Sequence, residues 1–168
     1  MSDNFKIMAN IENHTQMLDY FIPLMRMMTK NDIVQYGLTG RLLRGGIVDY
    51  GEGKTRRGGA NLKQWNIWRD QELNSGWMSN FLKLFDDREI GRIRIMRLKP
   101  RTCYSLHVDL TPRVHVPIIT NSENFMIIDG EMKHLSQGKV WWTDTLKPHT
   151  ALNTSERDRY HLLVEVSK

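Results

Sequence analysis

The sequence predicts a mainly β protein of the α+β class, with its helices gathered in the N-terminal half. Apolar residues between about positions 12 and 28 recur at three- and four-residue spacing, as they do along one face of a helix. From Ile90 onward the period shortens to two, in runs separated by turn signals, which is the pattern of strands. Length is the third observation: 168 residues suffice for one domain with a sizeable core, and not for two. The expected division is helical support and a possible lid loop over 1–89, and a β core over 90–168.

In chain order, Met17, Leu18, Phe21, Ile22, Leu24, Met25 and Met28 form the helical stripe. Asn13 or Thr15 is placed to cap its start, and Pro23 is expected to kink or divide it. The methionines read as adaptable core fillers. Between 37 and 59, glycines alternate with Arg41, Arg44, Lys54, Arg56 and Arg57, which predicts a surface loop. A lid whose Arg56 or Arg57 meets a carboxylate is the functional alternative. Gly51-Glu-Gly-Lys54-Thr55 is not a phosphate-binding loop, because that motif needs a glycine where Val48 stands. Residues 61–87 carry Leu62, Trp65, Trp68, Leu73, Trp77, Phe81, Leu82, Leu84 and Phe85, consistent with one or two helices broken at Asn74-Ser75-Gly76. Trp65 and Trp68 read as packing residues.

In the β half, Ile93, Ile95 and Arg97 alternate with Arg92, Arg94 and Met96, the pattern of a strand with one solvated face. Residues 114–119 form another strand, in which Pro117 implies an edge, a bulge or an end. Residues 125–128 and 131–135 flank Asp129-Gly130 as a hairpin. Gly138 opens the segment to Trp141 and Trp142, and 162–166 closes the sheet. Of the two tryptophans, Trp142 is expected toward the pocket and Trp141 on the opposite face. His134, in a polar hairpin arm, is expected to be exposed.

The formal charge of +5 is spread along the chain without a basic block, which suggests an acidic partner or substrate and argues against nucleic acid. Cys103 stands alone, so no internal disulfide forms and a reducing compartment is expected. No apolar run reaches membrane-spanning length and the N-terminus does not read as a secretion signal, so the expectation is cytoplasmic, without a membrane partner.

The candidate site centres on His107-Val108-Asp109. Residues two apart on an extended strand share a face, so an imidazole nitrogen and a carboxylate oxygen can reach one ion. His149, some forty positions later, is the candidate third ligand. Two imidazoles and one carboxylate leave the remaining positions of a metal open, as in non-haem Fe(II) oxygenases. Arg113 and His115 continue the register of the dyad, and Arg159 and His161 repeat it downstream. An inward-facing arginine is costly unless it meets an anion, which a dicarboxylate chelating the metal at its other end would provide. Arg157 competes with Arg159 for that role, and His115 and His161 fit equally a hydrogen-bonded interior.

Together these pieces resemble a known family. Gly91-Arg-Ile-Arg-Ile-Met-Arg-Leu-Lys-Pro100, His107-x-Asp109, Arg113-Val-His115, Gly138-Lys-Val-Trp-Trp142, Pro148-His149 with Asn153, and Arg159-Tyr-His161 look like the aspartyl/asparaginyl β-hydroxylase and cis-proline hydroxylase group. The resemblance covers roughly the C-terminal half. It implies a double-stranded β-helix (jelly-roll, cupin-like) barrel and an Fe(II)- and 2-oxoglutarate-dependent dioxygenase that hydroxylates an amino acid or a peptidyl Asp, Asn or Pro with O2, releasing succinate and CO2. It also implies His107, Asp109 and His149 as iron ligands and Arg159 as the partner of the far carboxylate of 2-oxoglutarate. Arg113 and His115 would lie near co-substrate or substrate. Asn153 would serve in a turn or behind the ligands, or else in catalysis. The alternative is a metal-binding, cupin-like barrel acting as a non-oxygenase binding module.

Overall fold

The structure, a computed structural model, describes residues 3–52 and 61–168. Arg56 and Arg57, the arginines of the expected lid, lie outside the described residues together with Lys54. The elements are β1 (Phe5–Asn10), α1 (His14–Lys30), β2 (Gln35–Gly37), β3 (Thr39–Leu42), β4 (Val48–Asp49), β5 (Ile67–Trp68), α2 (Gly76–Leu82), β6 (Ile90–Leu98), β7 (Thr102–Cys103), β8 (Arg113–Ile119), β9 (Asn124–Ile128), β10 (Glu131–Lys133), β11 (Lys139–Thr143), β12 (His149–Asn153) and β13 (Arg159–Val166). Six strands form one sheet in the order β1-β11-β8-β13-β6-β2, and four form a second in the order β10-β9-β12-β7. Every pairing among the described residues is antiparallel, and from β8 onward the chain passes back and forth between the two sheets, with the β9–β10 hairpin kept in the small one, which is the double-stranded β-helix.

The outer face of the large sheet carries the helical layer. Met17, Phe21, Met25 and Met28 of α1, and Trp77 and Phe81 of α2, pack on Ile93, Ile95, Val114, Val116, Leu162 and Val164. Each large apolar side chain buried this way contributes roughly 1.5–3 kcal/mol. Asn13 caps α1, its side chain accepting from the Gln16 N–H at 3.2 Å. The helix runs unbroken through Pro23, so it is not divided there. Pro23 and Asp19 both lie on the exposed face, so the carbonyl that loses its intrahelical donor is hydrated instead. The 61–87 stretch is less helical than its composition suggests: three 3-10 turns and β5 surround the short α2, with the break at Ser75 where expected.

The glycine-rich segment also departs from expectation. Up to Glu52 it is ordered β structure, with β2 on the large sheet and β3 pairing β4 and β5. Gly37 is required there, because a Cβ would collide with the Tyr50 carbonyl oxygen. Pro117 sits inside β8 at a register shift against β13, the bulge among the three outcomes its sequence allowed. Asp129 and Gly130 both take positive φ, 51° and 79°, in the tight turn between β9 and β10. No described helix is long and apolar enough to cross a membrane.

Candidate metal centre

Past β7 the chain continues along the edge of the small sheet. The Tyr104 N–H donates to Ala151 O at 3.0 Å, and His107 and His149 exchange backbone hydrogen bonds of 3.1 and 2.9 Å. The Asp109 N–H then reaches Thr145 O at 2.9 Å. Period-two geometry thus turns His107 and Asp109 the same way, toward His149 at the start of β12. One ligating atom from each of His107, Asp109 and His149 lies within 4.8 Å of the other two. The imidazole centroids are 4.3 Å apart, and Asp109 Oδ2 is 3.5 Å from His149 Nε2.

The second nitrogen of each ring is already committed. His107 Nδ1 donates to Ser105 O at 2.7 Å and His149 Nδ1 to Lys147 O at 2.9 Å. A carbonyl only accepts, so both Nδ1 atoms carry a proton, and Nε2 is the nitrogen that each ring has left to present to a metal. Burial pushes the Asp109 carboxyl up, but the His149 hydrogen bond and the Arg113, His149 and Arg94 charges outweigh it and bring it down to about 2. The cluster brings together two imidazole nitrogens and one carboxylate, a donor set that fits a divalent transition ion with open positions.

Facing this cluster is the inner face of the large sheet, and it is cationic. Arg92, Arg94, Arg113, His115, Arg159 and His161 are all buried. The face of β6 expected to meet solvent instead lines the barrel: alternation reports that two faces differ, and here the polar face is the interior. Glu165, which the sequence reading passed over, joins Arg92 at 3.2 Å and Arg113 at 3.3 Å, and Arg113 Nε also reaches Asp109 Oδ2 at 3.2 Å. The metal cluster is thereby tied to the large sheet through Asp109, Arg113, Glu165 and Arg92.

Arg94 and Arg159 stand outside that chain. Among the described residues neither forms an ion pair, and Nε of each is buried without a partner. Burial, with Arg92 and Arg113 nearby, lowers Arg94 to about 9, and burial lowers Arg159 against the support of the Tyr104 hydroxyl. Both remain cations at neutral pH. Tyr104 lies within electrostatic reach of both guanidinium groups, which pull its hydroxyl down against the burial that raises it. Arg94 and Tyr104 are the site residues that sequence reasoning missed; the available signal was that Arg94 shares the odd-even register of an inward strand.

The remaining candidates sort by burial. Arg157 is exposed and Arg159 buried, as the inward register requires. Asn153 is structural: its Nδ2 donates to Leu98 O, Lys99 O and Arg157 O, fixing the turn before β13. The two tryptophans are reversed from expectation. Trp141 pairs with His115 and packs inside the barrel with Phe5, Met126 and Ile128, while Trp142 abuts the helical core. His134 is half-buried rather than exposed, because its Nδ1 bonds to Asn124 O at 2.9 Å.

A family model described as Aspartyl/Asparaginyl beta-hydroxylase matches residues 62–168. Over 87 residues the chain is 28% identical to an L-proline cis-4-hydroxylase of Rhizobium meliloti (strain 1021), a match covering 48% of this chain and 31% of that protein. The chain thus matches about a third of the length of that curated relative. Among solved structures, a cupin domain from Bordetella pertussis Tohama I is similar at 16% identity and a TM-score of 0.40, covering 46% of this chain and 81% of that one. A Cupin 2 conserved barrel domain protein from Salinispora arenicola is similar at 12% identity and a TM-score of 0.38, covering 46% and 62%.

Proposed function

The chain belongs to the aspartyl/asparaginyl beta-hydroxylase family, and from that premise we propose that it is an Fe(II)- and 2-oxoglutarate-dependent dioxygenase. Its substrate would be an amino acid, free or as an Asp, Asn or Pro side chain in a peptide. The reaction inserts one oxygen atom of O2 into a C–H bond while 2-oxoglutarate becomes succinate and CO2. The carrying observation is the pairing of a His-Asp-His cluster, with both Nδ1 atoms held by carbonyls and both Nε2 atoms left to face an ion, with a buried Arg159 that has no ion pair among the described residues.

In this reading His107, Asp109 and His149 hold the iron, whose chemistry with the co-substrate is the activation of O2. The protein supplies position and electrostatics. Ser105 O and Lys147 O hold the two imidazoles in the ligating tautomer. Arg113, anchored by Glu165, orients Asp109 and keeps it ionised. Arg159 takes the far carboxylate of 2-oxoglutarate, with the Tyr104 hydroxyl beside it and His115 as a further donor. Arg94 remains for a carboxylate of the substrate, since a buried cation without an anion is otherwise a standing cost. The name of the Rhizobium relative makes L-proline the first substrate to try.

The test is direct. Incubated without oxygen with Fe(II) and 2-oxoglutarate, the chain should develop a metal-to-ligand absorption band in the visible; on admitting O2 with L-proline or an Asp-containing peptide, succinate should form. Asp109→Ala and Arg159→Ala should each lose both signals. Variants indistinguishable from the parent in both assays would overturn the assignment.

A further inference from the structure

His115 and His161 lie side by side on β8 and β13, facing into the barrel, with Nδ1 atoms 3.4 Å apart and rings at 84°. Both rings are buried. Burial and the Arg159 charge hold both well below the ordinary histidine value, as do His149 and Arg113 at His115 and, at His161, His115 and His134. Each ring is therefore neutral, with a single N–H. Two facing Nδ1 atoms at this separation avoid lone-pair repulsion only if one carries hydrogen and the other does not. The ring with a bare Nδ1 must then carry its proton on Nε2, and its neighbour must have a bare Nε2. Only one of the two outer nitrogens donates.

The surroundings decide which. His115 feels Arg159, His149, Arg113 and Asp109, so it stands toward the metal cluster. Nε2 of His161 is sealed in the protein without a partner, and Nε2 of His115 is not among the sealed atoms. A sealed bare nitrogen is tolerated more readily than a sealed N–H. A bare nitrogen facing a carboxylate beside Arg159 would repel it. We propose that His161 is a positioning residue: its Nδ1–H donates to His115 Nδ1, which locks His115 as a neutral Nε2–H donor aimed at the carboxylate that Arg159 holds. This rests on the co-substrate reading above only for the identity of that carboxylate; the locked tautomer is a property of the protein alone.

The experiment is histidine-selective 15N NMR on the full chain loaded with diamagnetic Zn(II), with His115 assigned by its loss in H115Q. The expected parent spectrum has His115 protonated at Nε2 and His161 at Nδ1. His161→Asn, whose side-chain nitrogen takes the place of Nδ1, should keep the His115 tautomer; His161→Phe should leave His115 sampling both. Titration with 2-oxoglutarate, followed by tryptophan fluorescence, should weaken about three- to tenfold in His161→Phe, the range of one lost neutral hydrogen bond, and recover in His161→Asn. A bare Nε2 on His115 in the parent overturns the inference, and so does a His115 tautomer indifferent to His161→Phe. If 2-oxoglutarate does not bind the parent while the tautomers are as stated, the co-substrate reading falls and the lock stands.

Discussion

The two walls of the barrel are built on opposite terms. On the small-sheet side, each candidate imidazole ligand has its spare nitrogen satisfied by a carbonyl two residues earlier, at 2.7 and 2.9 Å, so the wall is complete before any ligand arrives. On the large-sheet side, Glu165 pairs with Arg92 and Arg113, while Arg94 and Arg159 form no ion pair among the described residues; Nε of all four is buried without a hydrogen-bond partner. The first wall is held in geometry by its own backbone. The second holds unbalanced charge that only an anion from outside can neutralise.

That contrast breaks first at the metal cluster. His149→Ala removes one of three converging donors and should lower Zn(II) or Mn(II) affinity more than a hundredfold by isothermal titration, beyond the roughly 10–100-fold typical of losing an outer partner. Arg159→Met should leave metal affinity within about threefold; an equal loss in both would mean the walls are not separable. Next comes Glu165→Gln, which strands Arg92 and Arg113 in the interior. The expected cost is about 3–5 kcal/mol in urea unfolding, with the fold of the metal wall otherwise intact.

The third is set by pH. Asp109 is depressed in the folded chain to about 2, so the stability it contributes is fully present above its unfolded value, near 4, and is lost as pH falls from there through about 2. The gap in unfolding free energy between the parent and Asp109→Asn should shrink by about 2 kcal/mol over that window. A constant gap would remove Arg113 and His149 as the source of the depression. The smallest effect should have the opposite sign: Arg94→Met relieves an unpaired buried cation, and the ligand-free protein should gain about 1 kcal/mol while losing affinity for carboxylate-bearing substrates. A destabilised Arg94→Met would show that the guanidinium is already compensated within the fold.

The same contrast explains what could be read from sequence. The mainly β core, the hairpin at Asp129-Gly130, the α1 stripe and the shared direction of His107 and Asp109 were legible because each follows from a local period or turn, whereas the convergence of His149 on them came from the family resemblance. Arg92 and Arg94 were misread as a solvated face because alternation does not say which side of a strand is water, and a polar-lined barrel inverts the usual answer. Glu165 was missed because its meaning comes from Arg92 on β6 and Arg113 on β8, far away in sequence. β2 to β4 were hidden under a glycine-rich composition that here serves close approach, as at Gly37, rather than freedom.

Leu106, Val108 and Leu110 are 69%, 56% and 57% exposed, the counterpart of turning Asp109 and the still exposed His107 toward His149. The reciprocal pair of bonds between His107 and His149, the Asp109 tether to Thr145 and the bonds of Tyr104 to Ala151 and Thr150 set this phase. A slip of one residue along that strap would turn three greasy side chains toward His149 and both candidate chelators away from it. An ion bound by all three would forbid the slipped arrangement, so such a cation would also be the guardian of the register.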